Sequence, residues 1–198
     1  MITRYRFIHV PKTAGTSINK TLRYALAKRK LKPGSVPCNT IPFEHTSPSL
    51  FYRVHQPIHG HPVQPSLRDD TMNKDVRFIT CIRHPVDRIL SGYRYVTMGD
   101  IPLVEYIEDD SNWIWNVFKQ PYSYFFKPSD IYFFIRFENL DKDWRLFCSD
   151  NNLPQIDLSN KNTKNNKVSI LDSDIEYITD LYQDDIALYH NIINSIIY

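Results

Sequence analysis

Glycine is scarce in this chain of 198 residues, five against thirteen prolines. Neither G-x-x-x-x-G-K-[ST] nor G-x-G-x-x-G occurs, so the two common glycine-built nucleotide signatures are excluded. Cysteine is scarce as well. Cys38, Cys81 and Cys148 are odd in number and far apart, with no C-x-x-C pair. A disulfide framework is therefore not expected, and a reducing compartment is. Cys81 sits in an apolar run and is expected in the core. No apolar run approaches the ~20 residues of a membrane-spanning helix, and "MITRYRFIHV" begins as a strand without the apolar segment of a signal peptide.

What is present describes one folded domain over residues 1–198, large enough for a substantial core. Hydrophobic residues make up 42% and aromatics 14%, with thirteen Tyr and eleven Phe, so large rings should fill that core. The net charge of +2 hides an asymmetry. Residues 1–94 carry 16 Lys and Arg against 5 Asp and Glu, whereas residues 95–198 carry 8 against 17. A basic half within a near-neutral chain implies a local anion site rather than a nucleic-acid surface. Two solvated faces of opposite sign are the plainer alternative.

The periodicities alternate. Tyr5–Val10 reads as a buried strand, Pro11–Gly15 as a loop, and Ile18, Leu22, Ala25 and Leu26 as one face of a helix beginning near Thr16. Val76–Ile82 is a second strand, followed by a helix with Pro85 in its first turn and the stripe Val86, Ile89, Leu90, Tyr93. Pro102 to Phe118 reads as one helix. Ile131–Arg136 is a third strand, and Leu140, Trp144 and Phe147 mark the helix after it. Steps of three and four from Ile175 to Ile196 predict one long amphipathic tail helix. Strands alternating with helices give an α/β class with a mostly parallel sheet flanked by helices. In such sheets ligands bind beyond the carboxyl ends of the strands.

Two loops should lie there. In "FIHVPKTAGTSI" a strand leads through a tight loop into a helix, whose first amides and dipole favour an anion. Gly15 permits close backbone approach beside Ala14; Thr13, Thr16 and Ser17 add hydroxyls; Lys12 adds a charge ahead of the glycine instead of after it. After the second strand, "CIRHPVDRILSGYRY" places Arg83 at the strand end and Ser91 two turns along the helix. An arginine there can pair a phosphate bidentately. Together, "PKTAGTS" and "RHPVDRILSGY" closely resemble the sulfotransferase superfamily. "FIRFENLDKDW" and "DDIALYHNI" extend the resemblance over most of the chain, nearest the carbohydrate sulfotransferases related to heparan sulfate 2-O-sulfotransferase.

The resemblance implies a P-loop-like fold and use of 3′-phosphoadenosine-5′-phosphosulfate (PAPS). The first loop, Lys12 to Ser17, would hold the 5′-phosphosulfate, and Arg83 with Ser91 the 3′-phosphate. In "HQPIHGHPVQP", His59 and His61 flank Gly60, so an extended chain turns both rings to one face. The related enzymes have a His-x-His element whose second histidine is the base. Carried over, His61 is the base and His59 a supporting residue, with a ring of ordinary pKa about 6.5 suited to the task. Lys12 would stabilise charge on the departing oxygen. Three imidazoles at His55, His59 and His61 lack a nearby acid or thiolate, so no metal is expected. Asn162, Thr163 and Lys164 occupy the family's loop over the nucleotide. Arg136 and Glu138 match family positions and are read as structural. Trp113, Trp115, Tyr122 and Tyr124 suit either a sugar site or the core.

The implied reaction moves a sulfuryl group to a hydroxyl of a saccharide or small glycoconjugate, leaving adenosine 3′,5′-bisphosphate (PAP). Animal members are commonly anchored in the Golgi membrane. The lack of an anchor here points to a cytoplasmic bacterial or viral protein, or to a trimmed chain. The rival readings are a small kinase, which would need magnesium and a lysine after the glycine, and a nucleotide-binding module without turnover.

Overall fold

In the computed structural model, residues 4–18, 21, 76–151, 155, 157–158 and 168–195 are described. They form a parallel three-stranded sheet, β1 (Arg4–Ile8), β2 (Val76–Ile82) and β3 (Ile131–Arg136), in the order β1-β2-β3. Arg4 pairs with Val76 and Ile8 with Thr80; on the other side Ile82 pairs with Arg136. β2 is thus central, and both its faces are covered. This is why it reads as a continuous apolar run rather than an alternating one.

Around the sheet stand α1 (Pro85–Val96), α2 (Leu103–Glu108), α3 (Trp113–Lys119), α4 (Tyr122–Phe125), α5 (Leu140–Asp150), α6 (Asp172–Leu181) and α7 (Gln183–Ser195). Alternate strand residues divide between two layers, as the period of two demands. Phe7, Ile79, Cys81 and Ile135 pack under α5 against Trp144, Phe147 and Cys148. Ile8, Phe78 and Ile82 pack on the other face against Tyr122, Phe125, Phe126, Tyr189 and Ile192. Each such aliphatic side chain, fully buried, stabilises the fold by about 1.5–3 kcal/mol. A third cluster joins α1 to α2 and α6 through Ile89, Tyr93, Tyr106 and Ile178.

β2, β3 and the helix starting at Pro85 agree with the sequence reading. Three details differ. β1 ends at Ile8, two residues short of the turn at Pro11–Ala14, where the Val10 carbonyl accepts the Thr13 hydroxyl at 2.8 Å. The expected helix over Pro102–Phe118 is two helices, separated at Asp109–Asn112. There the Asp109 carboxylate accepts the Ser111 amide at 2.7 Å, and the buried Lys119 ammonium caps the carbonyls of Ile107 and Asp109 at 3.0 and 2.7 Å. The expected single tail helix is also two. It breaks at Tyr182, whose backbone leaves the helical range (φ −109°, ψ 25°) and whose hydroxyl donates to the Lys119 carbonyl at 2.7 Å. Among the described residues no helix is long and apolar enough to cross a membrane.

Candidate functional site

The parallel register brings the segments after β1 and β2 to the same edge of the sheet. The first segment is shaped by its own backbone. Lys12 and Ala14 both have φ of 66°, the left-handed region that residues with a Cβ enter at a cost of about 1–2 kcal/mol. Thr13 between them is fully buried, its hydroxyl donating back to Val10. The helix then begins at residue 15, with the Ala14 carbonyl accepting the amides of Ser17 and Ile18 at 2.9 and 3.2 Å. Gly15 packs directly on the ring of His9: a Cβ there would lie 1.8 Å from Cδ2 and 2.1 Å from Nε2. The glycine is thus required by the close approach of the strand-end histidine. Thr16 is exposed and Ser17 half-buried at the mouth of this turn.

The second segment is shaped by side chains from elsewhere. Arg83 follows β2, outside its ladder, and its amide donates to the Tyr122 hydroxyl at 2.9 Å while the same hydroxyl donates to the Arg83 carbonyl. The His84 amide donates to Glu138 Oε1 at 2.9 Å. The Arg83 guanidinium lies over the Phe137 ring, 4.2 Å from its centroid, and its Nη1 donates to the Lys12 carbonyl at 3.4 Å. The two predicted cations are therefore joined through one hydrogen bond.

Lys12 Nζ lies 4.0 Å from the centroid of the Tyr95 ring. Tyr95 is exposed on α1, one turn beyond the half-buried Ser91 and on the same helix face. The reach of Lys12 to Tyr95 thus turns the Ser91 face of α1 toward the first loop. Burial, and secondarily the Arg83 charge, lower the Lys12 pKa; burial lowers that of Arg83 too, opposed by Asp87 and Glu138. Neither cation forms an ion pair among the described residues. Two partly desolvated cations that repel each other at a helix N-terminus are electrostatically incomplete, and an anion between them would relieve both.

A profile of the sulfotransferase family matches residues 5–122, which include both segments. The chain belongs to the sulfotransferase family. The crystal structure of a sulfotransferase from Alicyclobacillus acidocaldarius superimposes over 98% of this chain and 96% of that one, at 15% identity and a TM-score of 0.53, which shows the shared fold. A comparison with curated protein sequences finds no match.

In this sulfotransferase the structure brings together Lys12, Thr13, Ala14, Gly15, Thr16, Ser17, Arg83 and the Ser91 face of α1. His59, His61, Asn162, Thr163 and Lys164 lie outside the described residues. Arg136 is held by Asp143, through its amide at 2.8 Å and its guanidinium at 2.6 and 2.7 Å, a bidentate pair tying the end of β3 to α5. Tyr122 is fully buried in the core, and the partly buried Trp115 packs on Tyr106 against the third cluster. Beside the two cations, sequence reasoning missed Tyr95 and Phe137, and it read Tyr122 as a sugar-site or core ring without its bonds to Arg83. Tyr95 had a local signal, the four-residue spacing from Ser91; Tyr122 and Phe137 had none.

Proposed function

We propose that this protein transfers the sulfuryl group of PAPS to a hydroxyl of a saccharide or small glycoconjugate, leaving a sulfate ester and PAP. The observation that carries the reading is the pairing of Lys12 and Arg83 across the two strand ends, both partly desolvated and, among the described residues, in no salt bridge. A bisphosphorylated nucleotide presents two anions to match: the left-handed turn at Lys12 and Ala14 opens backbone amides toward one, and Arg83 with Ser91 suits the other. The donor set fits PAPS, with hydroxyls, amides and cations and no demand for a metal. PAPS supplies an activated sulfuryl group on a good leaving phosphate.

The chain's own residues would do the rest. Lys12 stabilises the charge that grows on the departing oxygen. Arg83 and Ser91 fix the nucleotide's register, which is most of the catalytic contribution in a transfer governed by positioning. His61 would take the acceptor proton with His59 in support, and Asn162, Thr163 and Lys164 would contact the nucleotide.

Calorimetric titration of PAP, with AMP as the comparison ligand, tests the reading. The wild type should bind PAP clearly and AMP much more weakly, and Arg83→Ala should lose about 1.5–3 kcal/mol of PAP binding, the worth of one charged contact. Equal affinity for AMP, or a variant that binds PAP as the wild type does, overturns it.

A further inference from the structure

We propose that Tyr122 is a positioning residue for Arg83, held in place by Asp185 and Arg88; this rests on the reading of Arg83 as the 3′-phosphate ligand. The residue that follows a parallel strand has lost its ladder partners, and its peptide groups must be satisfied otherwise. At Arg83 one hydroxyl does both tasks, accepting the N–H and donating to the C=O. A buried tyrosine needs one hydrogen-bond partner to satisfy its hydroxyl. This one binds both polar groups of a single residue, and that residue carries the site's arginine.

Tyr122 is itself fixed from the far end of the chain. Its amide donates to both carboxylate oxygens of Asp185 on α7, each at 3.0 Å. Asp185 is buried, and the fully buried Arg88 lies 3.6 Å from its Oδ2. Arg88 in turn donates to the carbonyls of Phe118 and Gln120 at 3.3 and 2.7 Å and stands 4.9 Å from the centroid of the Tyr122 ring. The guanidinium of Arg88 is wholly enclosed, so it is no ligand for a nucleotide despite standing five residues after Arg83 in the same basic stretch. The chain Arg88–Asp185–Tyr122–Arg83 spans α1, α7, α4 and the end of β2. It makes the position of the site arginine a property of the C-terminal helix.

Tyr122→Phe removes the hydroxyl alone and keeps the ring in the core. PAP and AMP affinities are measured by calorimetry for the wild type, Tyr122→Phe, Arg83→Ala and the double variant. Tyr122→Phe should weaken PAP binding by about tenfold, the scale of one buried hydrogen-bond group, and leave AMP within about twofold. Because the effect runs through Arg83, the double variant should bind PAP no more weakly than Arg83→Ala. A merely structural hydroxyl would weaken both ligands alike, or act additively with Arg83→Ala; either result overturns the proposal, as does unchanged PAP binding. Should Tyr122→Phe fail to fold, Asp185→Asn carries the same test, with a smaller loss of PAP-over-AMP selectivity expected and unchanged selectivity overturning it. A wild type that binds PAP and AMP equally instead overturns the assignment of Arg83 itself.

Discussion

The two segments that meet at the sheet edge are built by opposite means. The turn from Pro11 to Ser17 holds its shape locally: left-handed Lys12 and Ala14, a hydroxyl bond from Thr13 to Val10 three residues back, and a glycine pressed on His9. The turn at Arg83 holds its shape through Tyr122 and Glu138, and beyond them through Asp185. One of the two proposed anion-binding elements is encoded in nine consecutive residues, His9 to Ser17; the other needs α4, α7 and the end of β3 folded around it. Damage to the first should therefore come from neighbours in sequence. Damage to the second should come from afar.

The largest effect expected from breaking this contrast is Asp185→Ala. It leaves the Tyr122 amide unsatisfied and the Arg88 charge buried without its counter-ion, a change that typically costs about 3–5 kcal/mol. Urea unfolding should register that loss, and the surviving folded fraction should show impaired PAP binding. Full stability in the variant would show that the relay is not needed to hold α7 against the sheet. Gly15→Ala comes next and probes the local element. A Cβ 1.8 Å from the His9 ring forces the imidazole aside, an overpacking cost of about 1–3 kcal/mol. Adding His9→Ala removes the obstacle and should recover most of that loss in the same unfolding measurement. No recovery would mean that the glycine is needed for its backbone rather than for its lack of a side chain.

The same contrast decides how much was legible in the sequence. Val76–Ile82 could be bounded because an apolar run buried on both faces ends abruptly at polar residues, and Ile131–Arg136, only partly buried, because a run of β-branched and aromatic residues ends at Arg136. The first loop could be read as an anion site because its donors are consecutive. Tyr122 offered no such signal: it stood among other rings, as suited to a sugar or to packing as its neighbours Trp115 and Tyr124. Its role comes from bonds to residues 39 and 63 positions away, and separations of that kind leave no periodicity. Arg88 was equally opaque. It adjoins the apolar stripe of α1, where a charge reads as solvated, and only the carbonyls of Phe118 and Gln120 with the Asp185 carboxylate make its burial tolerable. The two helix breaks were missed for a related reason. Lys119 and Tyr182 stabilise them through side chains that a periodic pattern does not register.

The smallest predicted effect is a pH dependence that sharpens the difference between the two cations. The Lys12 pKa is lowered from the usual 10.5 by burial and by Arg83. The unfolded chain then binds more protons than the folded one between the lowered value and 10.5, so stability rises with pH across that window and the penalty is fully present below it. Lys12→Met removes the titration. The stability of wild type minus that of the variant, from thermal unfolding, should climb as pH rises through the window and be flat beneath it. Bound PAP should reverse the sign, because an anion beside Lys12 favours its charged form. Binding then takes up a proton in the same window, and affinity falls as pH rises, visible as a buffer-dependent heat in calorimetry. Arg83 keeps its charge throughout and contributes no such slope. A difference curve that stays flat would place Lys12 in solvent, away from Arg83, and the anion between the two strand ends would lose one of its two cations.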